Sequence, residues 1–391
     1  MPDRRMVTRI AILGSTGSVG RSTLEVVSRH PERFQVRALT ANRSVDLLRE
    51  QAERHGAQTV VVADLEHFGS LGSAPSGWNG GREALLDVVR DPEIDVVVNA
   101  LVGFAGLEPT LEALRTGKRV ALANKESLVA GGDLVMAALD EGGGELVPVD
   151  SEHSAILQCM NGGERRTVSR LLLTASGGPF RGWDATRLDS VGPGDALKHP
   201  TWSMGAKISI DSATLANKAL EVIEAHVLYR IPYESIEVVV HPQSVIHSMV
   251  EFVDGSVMAQ MGFPTMELPI LYALSFPERI DDPNLRTFDA VRSSPLTFEA
   301  IDHDAFPMFG VGTDAGRRGG LAPAIFNAAN EIAVAAFLEE RIPFPAMAEA
   351  VRDAIEGLMG TSDDPISLGG VQESDREARR FVRDWISRHD S

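Results

Sequence analysis

Arg9-Ile-Ala-Ile-Leu13, then Gly14-Ser-Thr-Gly17-Ser-Val-Gly20, then an amphipathic segment to about Arg29, is the stretch that decides the fold of this chain. A short apolar run, a glycine turn and a helix bring backbone N–H groups to a helix N-terminus, where they can hold a pyrophosphate. The glycines are spaced G-x-x-G-x-x-G, a variant of the commoner G-x-G-x-x-G, and their place directly after the first strand is what gives the motif its weight. The bland alternative is an α/β domain whose glycine loop binds nothing. Further strand-like runs at 34–40, 59–62, 94–99, 119–123 and 145–149 are mostly separated by helical stretches. Such alternation predicts a doubly wound parallel sheet with ligands at the carboxyl ends of its strands.

At 391 residues the chain is too long for one ordinary core, so two or three domains are expected. Apolar residues make up 43%, enough for a well-packed globular protein. Lys and Arg number 37 against 55 Asp and Glu, and the net charge of −18 is spread along the chain. A surface of that sign repels a phosphate-rich duplex, so nucleic acid is not an expected partner. No apolar run approaches the ~20 residues that span a bilayer, and the start at 1–9 has neither a signal-peptide core nor the length of a transit peptide. A soluble, cytoplasmic protein is expected. The single cysteine, Cys159, excludes internal disulfides and cysteine-rich metal sites.

The end of the second strand bears on the dinucleotide. An NAD site wants an acid there for the ribose hydroxyls, whereas this chain reads Thr40-Ala41-Asn42-Arg43-Ser44. A cation without an acid favours the 2′-phosphate of NADP, although Arg43 is also what a solvated loop residue looks like. At a later strand end, Ala121-Leu-Ala-Asn124-Lys125-Glu126-Ser127 puts polar groups beside the nicotinamide half of a dinucleotide. The next strand runs into Asp150-Ser151-Glu152-His153. With a period of two, Asp150 and Glu152 leave the sheet on one side, and with a third carboxylate they would hold Mg²⁺ or Mn²⁺. Glu221 is the candidate third ligand: Asp211-Ser-Ala-Thr-Leu-Ala-Asn-Lys-Ala-Leu-Glu221 reads as one capped helix with Asn217, Lys218 and Glu221 on a shared face. By itself, Asp-x-Glu reads first as a solvated turn with a helix N-cap.

From Thr167 the pattern changes. A strand at 168–174 leads into Ala175-Ser176-Gly177-Gly178-Pro179-Phe180 and a long segment of weak helix and strand signals ending in His199-Pro200 and Trp202-Ser203-Met204-Gly205. A loop of that length carrying a large ring reads as a lid over a ligand. Strands at 236–241 and 244–252 follow, then a turn at Asp254-Gly255 into 256–261. Val245, His247, Met249 and Glu251 share one strand face, where a lone His is more often structural than catalytic. Beyond a proline-rich break near 281–295, helices such as 322–338 and 373–387 could pack as a bundle.

The motifs together resemble the 1-deoxy-D-xylulose 5-phosphate reductoisomerase family across nearly the whole chain. They are Gly14 to Gly20, Leu122-Ala-Asn-Lys-Glu-Ser-Leu128, Val149-Asp-Ser-Glu-His-Ser154, Ser176-Gly-Gly-Pro-Phe180, His199-Pro200, Trp202-Ser-Met-Gly205, Lys207-Ile-Ser209, Asp211-Ser-Ala-Thr214, Asn217-Lys218, Glu221, His241-Pro-Gln-Ser-Val-Ile-His247 and Asn327-Ala-Ala-Asn-Glu331. The resemblance implies an oxidoreductase of non-mevalonate isoprenoid biosynthesis that rearranges and reduces a phosphorylated sugar with NADPH, and it implies a homodimer. It also implies the fold class: an N-terminal doubly wound, Rossmann-like NADP-binding domain at 1–150, an α+β catalytic domain at 151–280 with a mobile lid at 176–207, a linker at 281–300 and a C-terminal helical bundle at 301–391.

Carried over by position, Asp150, Glu152 and Glu221 are the ligands of Mg²⁺ or Mn²⁺. Ser151, Ser176, His199, Ser212, Asn217 and Lys218 hold the substrate's phosphate and hydroxyls, with Lys125 also at the substrate and His247 at the active site; Trp202 belongs to the lid. Thr16, Gly17, Ser18, Val19, Asn42, Arg43, Ser44, Asn124, Glu126 and Gly205 fall where the family holds NADPH. The chain departs from the family at Asn42-Arg43-Ser44, where many members read Gly-Lys-Asn, and at Ala206, where a basic residue is common. Two rivals are a metal-assisted NADP-dependent dehydrogenase that uses the same cofactor loop and metal without skeletal rearrangement, and a catalytically silent nucleotide sensor, which needs a metal carboxylate or the lid to be degraded, and none is.

Overall fold

The structure is a computed structural model describing residues 7–202, 204–359 and 366–389; residues 1–6 of the short N-terminal start and Ser203 of the expected lid lie outside the described residues. Its contacts divide the chain into two compact units, one of Met1–Asn124, Val135–Ser154 and Thr265–Leu285, the other of Lys125–Leu134, Ala155–Pro264 and Arg286–Ser391. This partition differs from the consecutive domains read from sequence, because the chain comes back to the first unit at Thr265–Leu285.

The first unit holds seven strands, β1 (Thr8–Leu13), β2 (Phe34–Ala41), β3 (Thr59–Val62), β4 (Trp78–Gly80), β5 (Val96–Asn99), β6 (Arg119–Leu122) and β7 (Glu145–Pro148), in the order β4-β3-β2-β1-β5-β6-β7. All neighbours pair in parallel. Ile10, Ile12, Leu13, Val60 to Val62, Val96 to Val98 and Val120 to Leu122 are buried, the continuous apolar reading of strands covered on both faces. The connecting helices are α1 (Ser18–Arg29), α2 (Val45–His55), α3 (Leu65–Gly69), α4 (Gly81–Arg90), α5 (Leu107–Arg115) and α6 (Lys125–Gly142), and α7 (Ser151–Met160) follows β7. The chain starts mid-sheet, winds outward to β4, then crosses to β5, so the strand order reverses between β1 and β5, where doubly wound folds open a crevice. The expected parallel sheet is present. β4 went unread because Trp-Asn-Gly lies in a Gly-, Ser- and Pro-rich stretch.

The returning segment carries α12 (Glu267–Ser275), whose residues from Ile270 to Leu274 are buried. Arg29 at the end of α1 holds it twice, through Glu267 at 2.6 Å and Asp282 at 2.8 Å, and Arg33 meets Glu278 at 2.8 Å. The expected linker at 281–300 therefore begins inside this anchored segment.

The second unit has a four-stranded sheet, β8 (Val168–Ala175), β9 (Ile236–Val240), β10 (Ile246–Phe252) and β11 (Val257–Met261), in the order β11-β10-β8-β9. β8 pairs parallel with β9 and antiparallel with β10, and the turn at Asp254-Gly255 joins β10 to β11 as read. Its helices are the short α8 (Ala185–Leu188) and α9 (Pro193–Ala196), then α10 (Ala206–Thr214), α11 (Ala216–Tyr229), α13 (Pro307–Arg318), α14 (Ala322–Leu338), α15 (Ala346–Leu358) and α16 (Leu368–His389). The C-terminal helices do not form a core of their own: Ile325, Phe326, Ala329, Val351 and Val382 share one apolar cluster with Ile210, Ala216 and Leu220 of α10 and α11.

The same cluster takes in Phe180, Leu188, Val191 and Ala196, so the first two thirds of the expected lid at 176–207 are anchored in a core. Phe180 meets Phe344 edge-on at 5.3 Å. Within the expected lid, the longest run without a fully buried side chain among its described residues is Leu197 to Lys207. Among the described residues no helix is long and apolar enough to cross a membrane.

Candidate active site

In the first unit the glycine loop closes over the end of β1. Gly14 has φ +80°, and a Cβ there would sit 2.6 Å from the carbonyl oxygen of Ala100; a Cβ at Gly20 would sit 2.4 Å from the Gly14 carbonyl. The loop thus needs glycine at both places. Gly17 precedes α1 with no side-chain cap, so the first-turn N–H groups beside Thr16, Ser18 and Val19 face no capping oxygen. Thr40 and Gln51 fix the loop: Gly14 N–H donates to Thr40 Oγ1 at 3.1 Å, Ser15 Oγ donates to Gln51 Oε1 at 2.8 Å, and Gln51 Nε2 donates to the Ser15 carbonyl at 3.0 Å. Gln51 escaped the sequence reading, although a polar residue on the buried face of amphipathic α2 was a signal.

Asn42, Arg43 and Ser44 are exposed beyond β2. Arg43 Nε donates to Asp64 Oδ2 at 3.0 Å. Asp64 caps α3, accepting the N–H groups of Glu66 and His67, and its carboxyl lies well below the usual carboxylate range because of bonds from His67 and then Arg43. An acid is therefore present, one strand further out than expected. The parallel register that sets Ala41 beside Val62 carries Asp64 next to the 42–44 loop.

Asn124, buried at the end of β6, donates its amide to the carbonyls of Leu101 at 3.0 Å and Gly103 at 2.9 Å. Its side chain shapes the loop after β5. Asp150 does not continue a strand, since β7 ends at Pro148; its carbonyl accepts the Ser154 N–H at 2.8 Å, and Glu152 lies in the first turn of α7. The two carboxylates are close because they flank a helix start, not through the strand period. Ser151 Oγ donates to Glu152 at 2.5 Å, and buried His153 holds Nδ1 3.9 Å from Asp150 Oδ2.

In the second unit Leu215, at φ 60°, breaks the expected single helix into α10 and α11. Asn217, Lys218 and Glu221 do share a face of α11, and all three converge with Lys125. Glu221, 1% exposed, accepts from Lys125 Nζ at 3.2 Å, from Asn217 Nδ2 and from Lys218 Nζ. Lys125 also donates to Asn217 Oδ1 at 2.9 Å, and Lys218 to the Thr174 carbonyl at 2.5 Å. One carboxylate thus accepts from two ammonium groups, each a charge-assisted hydrogen bond.

Ser176 follows β8. The glycines after it take φ +83° and +65°, and a Cβ on Gly178 would sit 2.7 Å from the Ser212 carbonyl, so the turn packs directly on α10 at Ser212. His199 Nδ1 accepts two backbone N–H groups, Thr201 at 3.2 Å and Trp202 at 2.9 Å. The neutral ring then carries its proton on Nε2, which donates to Ser176 Oγ at 3.1 Å. Burial lowers the His199 pKa and favours this neutral form. Ser176 Oγ accepts a second bond from the Gly178 N–H at 3.2 Å, which directs its own hydroxyl proton outward. His247 is buried at the start of β10, where Thr174 Oγ1 binds its carbonyl at 2.9 Å. Gly205 caps α10 with open space at its Cβ, and Glu126 in the first turn of α6 lies 3.5 Å from Lys207 Nζ.

Three family profiles match the chain: 1-deoxy-D-xylulose 5-phosphate reductoisomerase over residues 10–132, its C-terminal domain over 146–229, and the DXP reductoisomerase C-terminal domain over 261–381. The 1-deoxy-D-xylulose 5-phosphate reductoisomerase of Chloroherpeton thalassium is 47% identical over 96% of this chain and 97% of its own. That of a Synechococcus species is 50% identical, covering 95% of each. Among solved structures, the enzyme from Zymomonas mobilis in complex with NADPH is 43% identical with a TM-score of 0.89, covering 97% of this chain and 99% of that one. A DOX-P reductoisomerase in complex with NADPH, fosmidomycin and magnesium is 38% identical with a TM-score of 0.91, covering 97% and 98%. With half its residues shared along nearly its full length, this chain belongs to the 1-deoxy-D-xylulose 5-phosphate reductoisomerase family.

Proposed function

We propose that the chain converts 1-deoxy-D-xylulose 5-phosphate to 2-C-methyl-D-erythritol 4-phosphate in non-mevalonate isoprenoid biosynthesis, using NADPH and Mg²⁺ or Mn²⁺, as a cytoplasmic homodimer. The observation that carries this reading is the buried Lys125, Lys218 and Glu221, joined by half-buried Asn217, in a chain of this family. Two lysines and a glutamate out of water contribute nothing a fold could not obtain more cheaply from apolar residues, and such groups mark chemistry.

Asp150, Glu152 and Glu221 are the residues that would hold the divalent ion. All are hard oxygen donors, a set that fits Mg²⁺ or Mn²⁺ and not a thiophilic metal. When bound, the ion supplies Lewis-acid polarisation of a carbonyl and an adjacent hydroxyl. Ser151 lies between the two carboxylates and binds a substrate hydroxyl. Ser176, His199, Ser212, Asn217 and Lys218 bind the substrate's phosphate and hydroxyls: Ser176 offers its outward hydroxyl, and Lys218 its charge. Lys125 orients the reacting end, with His247 at the active site. Trp202 covers the substrate and excludes water, so that binding energy from the phosphate closes the site. Thr16, Gly17, Ser18 and Val19 take the NADPH pyrophosphate, Asn42, Arg43 and Ser44 the 2′-phosphate end, and Asn124, Glu126 and Gly205 the nicotinamide side.

The test is NADPH oxidation with deoxyxylulose phosphate, with and without excess chelator, and identification of the product. Metal-dependent turnover to the branched polyol phosphate is expected. Full turnover in chelator removes the metal from the reading, and an unrearranged product would identify a simple dehydrogenase. Light scattering at twice the chain mass is the result expected for the homodimer.

A further inference from the structure

The motif Asn327-Ala-Ala-Asn-Glu331 lies on α14 and has no part in the chemistry above. Its outer residues are structural: Asn327 Nδ2 donates to Glu331 at 3.0 Å, and Glu331 pairs with Arg379 of α16 at 2.7 Å. Asn330 differs. It is fully buried, and its Nδ2 donates to Asp211 Oδ1 at 2.8 Å, while its own Oδ1 has no partner among the described residues. In an apolar stretch with Ile325, Phe326, Ala329, Ala333 and Val334, a half-satisfied amide costs stability that an aliphatic side chain would not. Its one bond must therefore serve Asp211. That carboxylate, 1% exposed, pairs through Oδ2 with Lys207 Nζ at 2.7 Å, and the same ammonium reaches Glu126 Oε1 at 3.5 Å. Burial opposes the charge on Lys207, but Asp211 and Glu126 outweigh it and raise its pKa.

We propose that Asn330 is a positioning residue for the reaction: it fixes the Asp211 carboxylate that seats Lys207, and Lys207 in turn ties the closing end of the 198–207 segment to Glu126 in the first turn of α6. This rests on the reading of Glu126 and Gly205 as cofactor-side residues and of Ser212, next to Asp211, as substrate-side. Lys207 is two residues from Gly205, and Glu126 adjoins Lys125, so the chain Asn330–Asp211–Lys207–Glu126 sets the spacing between elements that carry both ligands.

The experiment uses the full chain with Asn330→Leu, Lys207→Met, the double variant and Lys207→Arg, reading NADPH Kd by fluorescence, kcat, the KM for deoxyxylulose phosphate and thermal unfolding. Asn330→Leu also removes the unpartnered oxygen, so it should keep its unfolding temperature while NADPH Kd rises about tenfold, which is ~1.4 kcal/mol; kcat at saturation should change much less. Lys207→Met should give a similar shift, the double variant no further loss, and Lys207→Arg should restore most of the affinity. Additive effects of the two substitutions, or a Kd that moves only with lost thermal stability, would overturn the proposal. Glu126→Gln is the control for the underlying reading: if it alone leaves NADPH Kd unchanged while the coupled pair weakens it, Glu126 is not on the cofactor side and the Asn330–Asp211–Lys207 link stands without it.

Discussion

Replacing Glu221 by Gln tests the ion site and the charge balance around it in one variant. Glu221 is 1% exposed, and the side chains of Lys218 and Lys125 are 5% and 9% exposed. An amide keeps one acceptor but removes the negative charge that Lys125 Nζ and Lys218 Nζ both reach. Removing one partner of a buried pair costs about 3–5 kcal/mol, and the retained acceptor brings the expectation to ~3 kcal/mol. For a unit of this size that lowers the unfolding midpoint by about 6–12 °C. Sequence alone suggests a milder outcome, since three carboxylates repel one another without a metal and losing one should be tolerated. The two lysines reverse that expectation. Scanning calorimetry in excess chelator isolates the effect from metal binding, and isothermal titration with Mn²⁺ on the folded variant should show affinity reduced at least tenfold, with turnover lost. Adding Lys218→Met should recover part of the stability by removing one of the two cations that Glu221 holds. A wild-type midpoint in chelator would refute the charge argument, and wild-type Mn²⁺ affinity would take Glu221 out of the ion site.

Three further outcomes are expected. Arg43→Asp should weaken NADPH more than NADH, because a new carboxylate beside Asp64 repels a 2′-phosphate that only NADPH carries; an unchanged preference ratio means that Arg43 is not the discriminator. The lowered His199 pKa stabilises the 199–202 turn above about pH 6.5, and this is lost as the pH falls, because a proton on Nδ1 would confront the N–H groups of Thr201 and Trp202. Hydrogen exchange of 199–202, corrected for intrinsic rates, should therefore accelerate between pH 7.5 and 5.5 in the wild type and stay flat in His199→Ala. Burial pushes the Asp282 carboxyl up, but Arg29 and the Asn284 N–H bring it below its usual range. Asp282→Asn should cost ~2 kcal/mol near neutrality, and the gap to wild type in urea unfolding should close as the pH drops below about 4; a gap independent of pH rules the ion pair out as its source.

The first unit was legible because its signals are local. An apolar run followed by glycines and a helix can be read in one pass, and Gly14 and Gly20 are needed for contacts within a few residues or across to the adjacent strand. What escaped was long-range. Asp64 meets Arg43 only through the register of β2 with β3, and Gln51 meets Ser15 only once α2 has packed. The break at Leu215 carries no glycine or proline to mark it, since a buried leucine is held at positive φ by the packing on both sides. Within the expected lid, the packing of Phe180, Leu188 and Val191 into a core is not legible in the sequence, because they are single apolar residues without periodicity among glycines and prolines. The return of Thr265–Leu285 to the first unit rests on ion pairs more than two hundred residues apart, which no window of sequence contains.

The break at Leu215 also bears on how this chain can vary in length. Ser212 lies in the last turn of one helix and Asn217 in the first turn of the next, with a single left-handed residue, Leu215, setting the angle between them. One residue inserted or deleted in either helix would rotate every later side chain by about 100°, turning Lys218 and Glu221 away from Lys125. Between Ser212 and Glu221 the chain should therefore accept substitutions but not insertions or deletions. The exposed turn at Asp254-Gly255, where nothing lies within 4 Å of the glycine's missing Cβ, is where changes of length can accumulate.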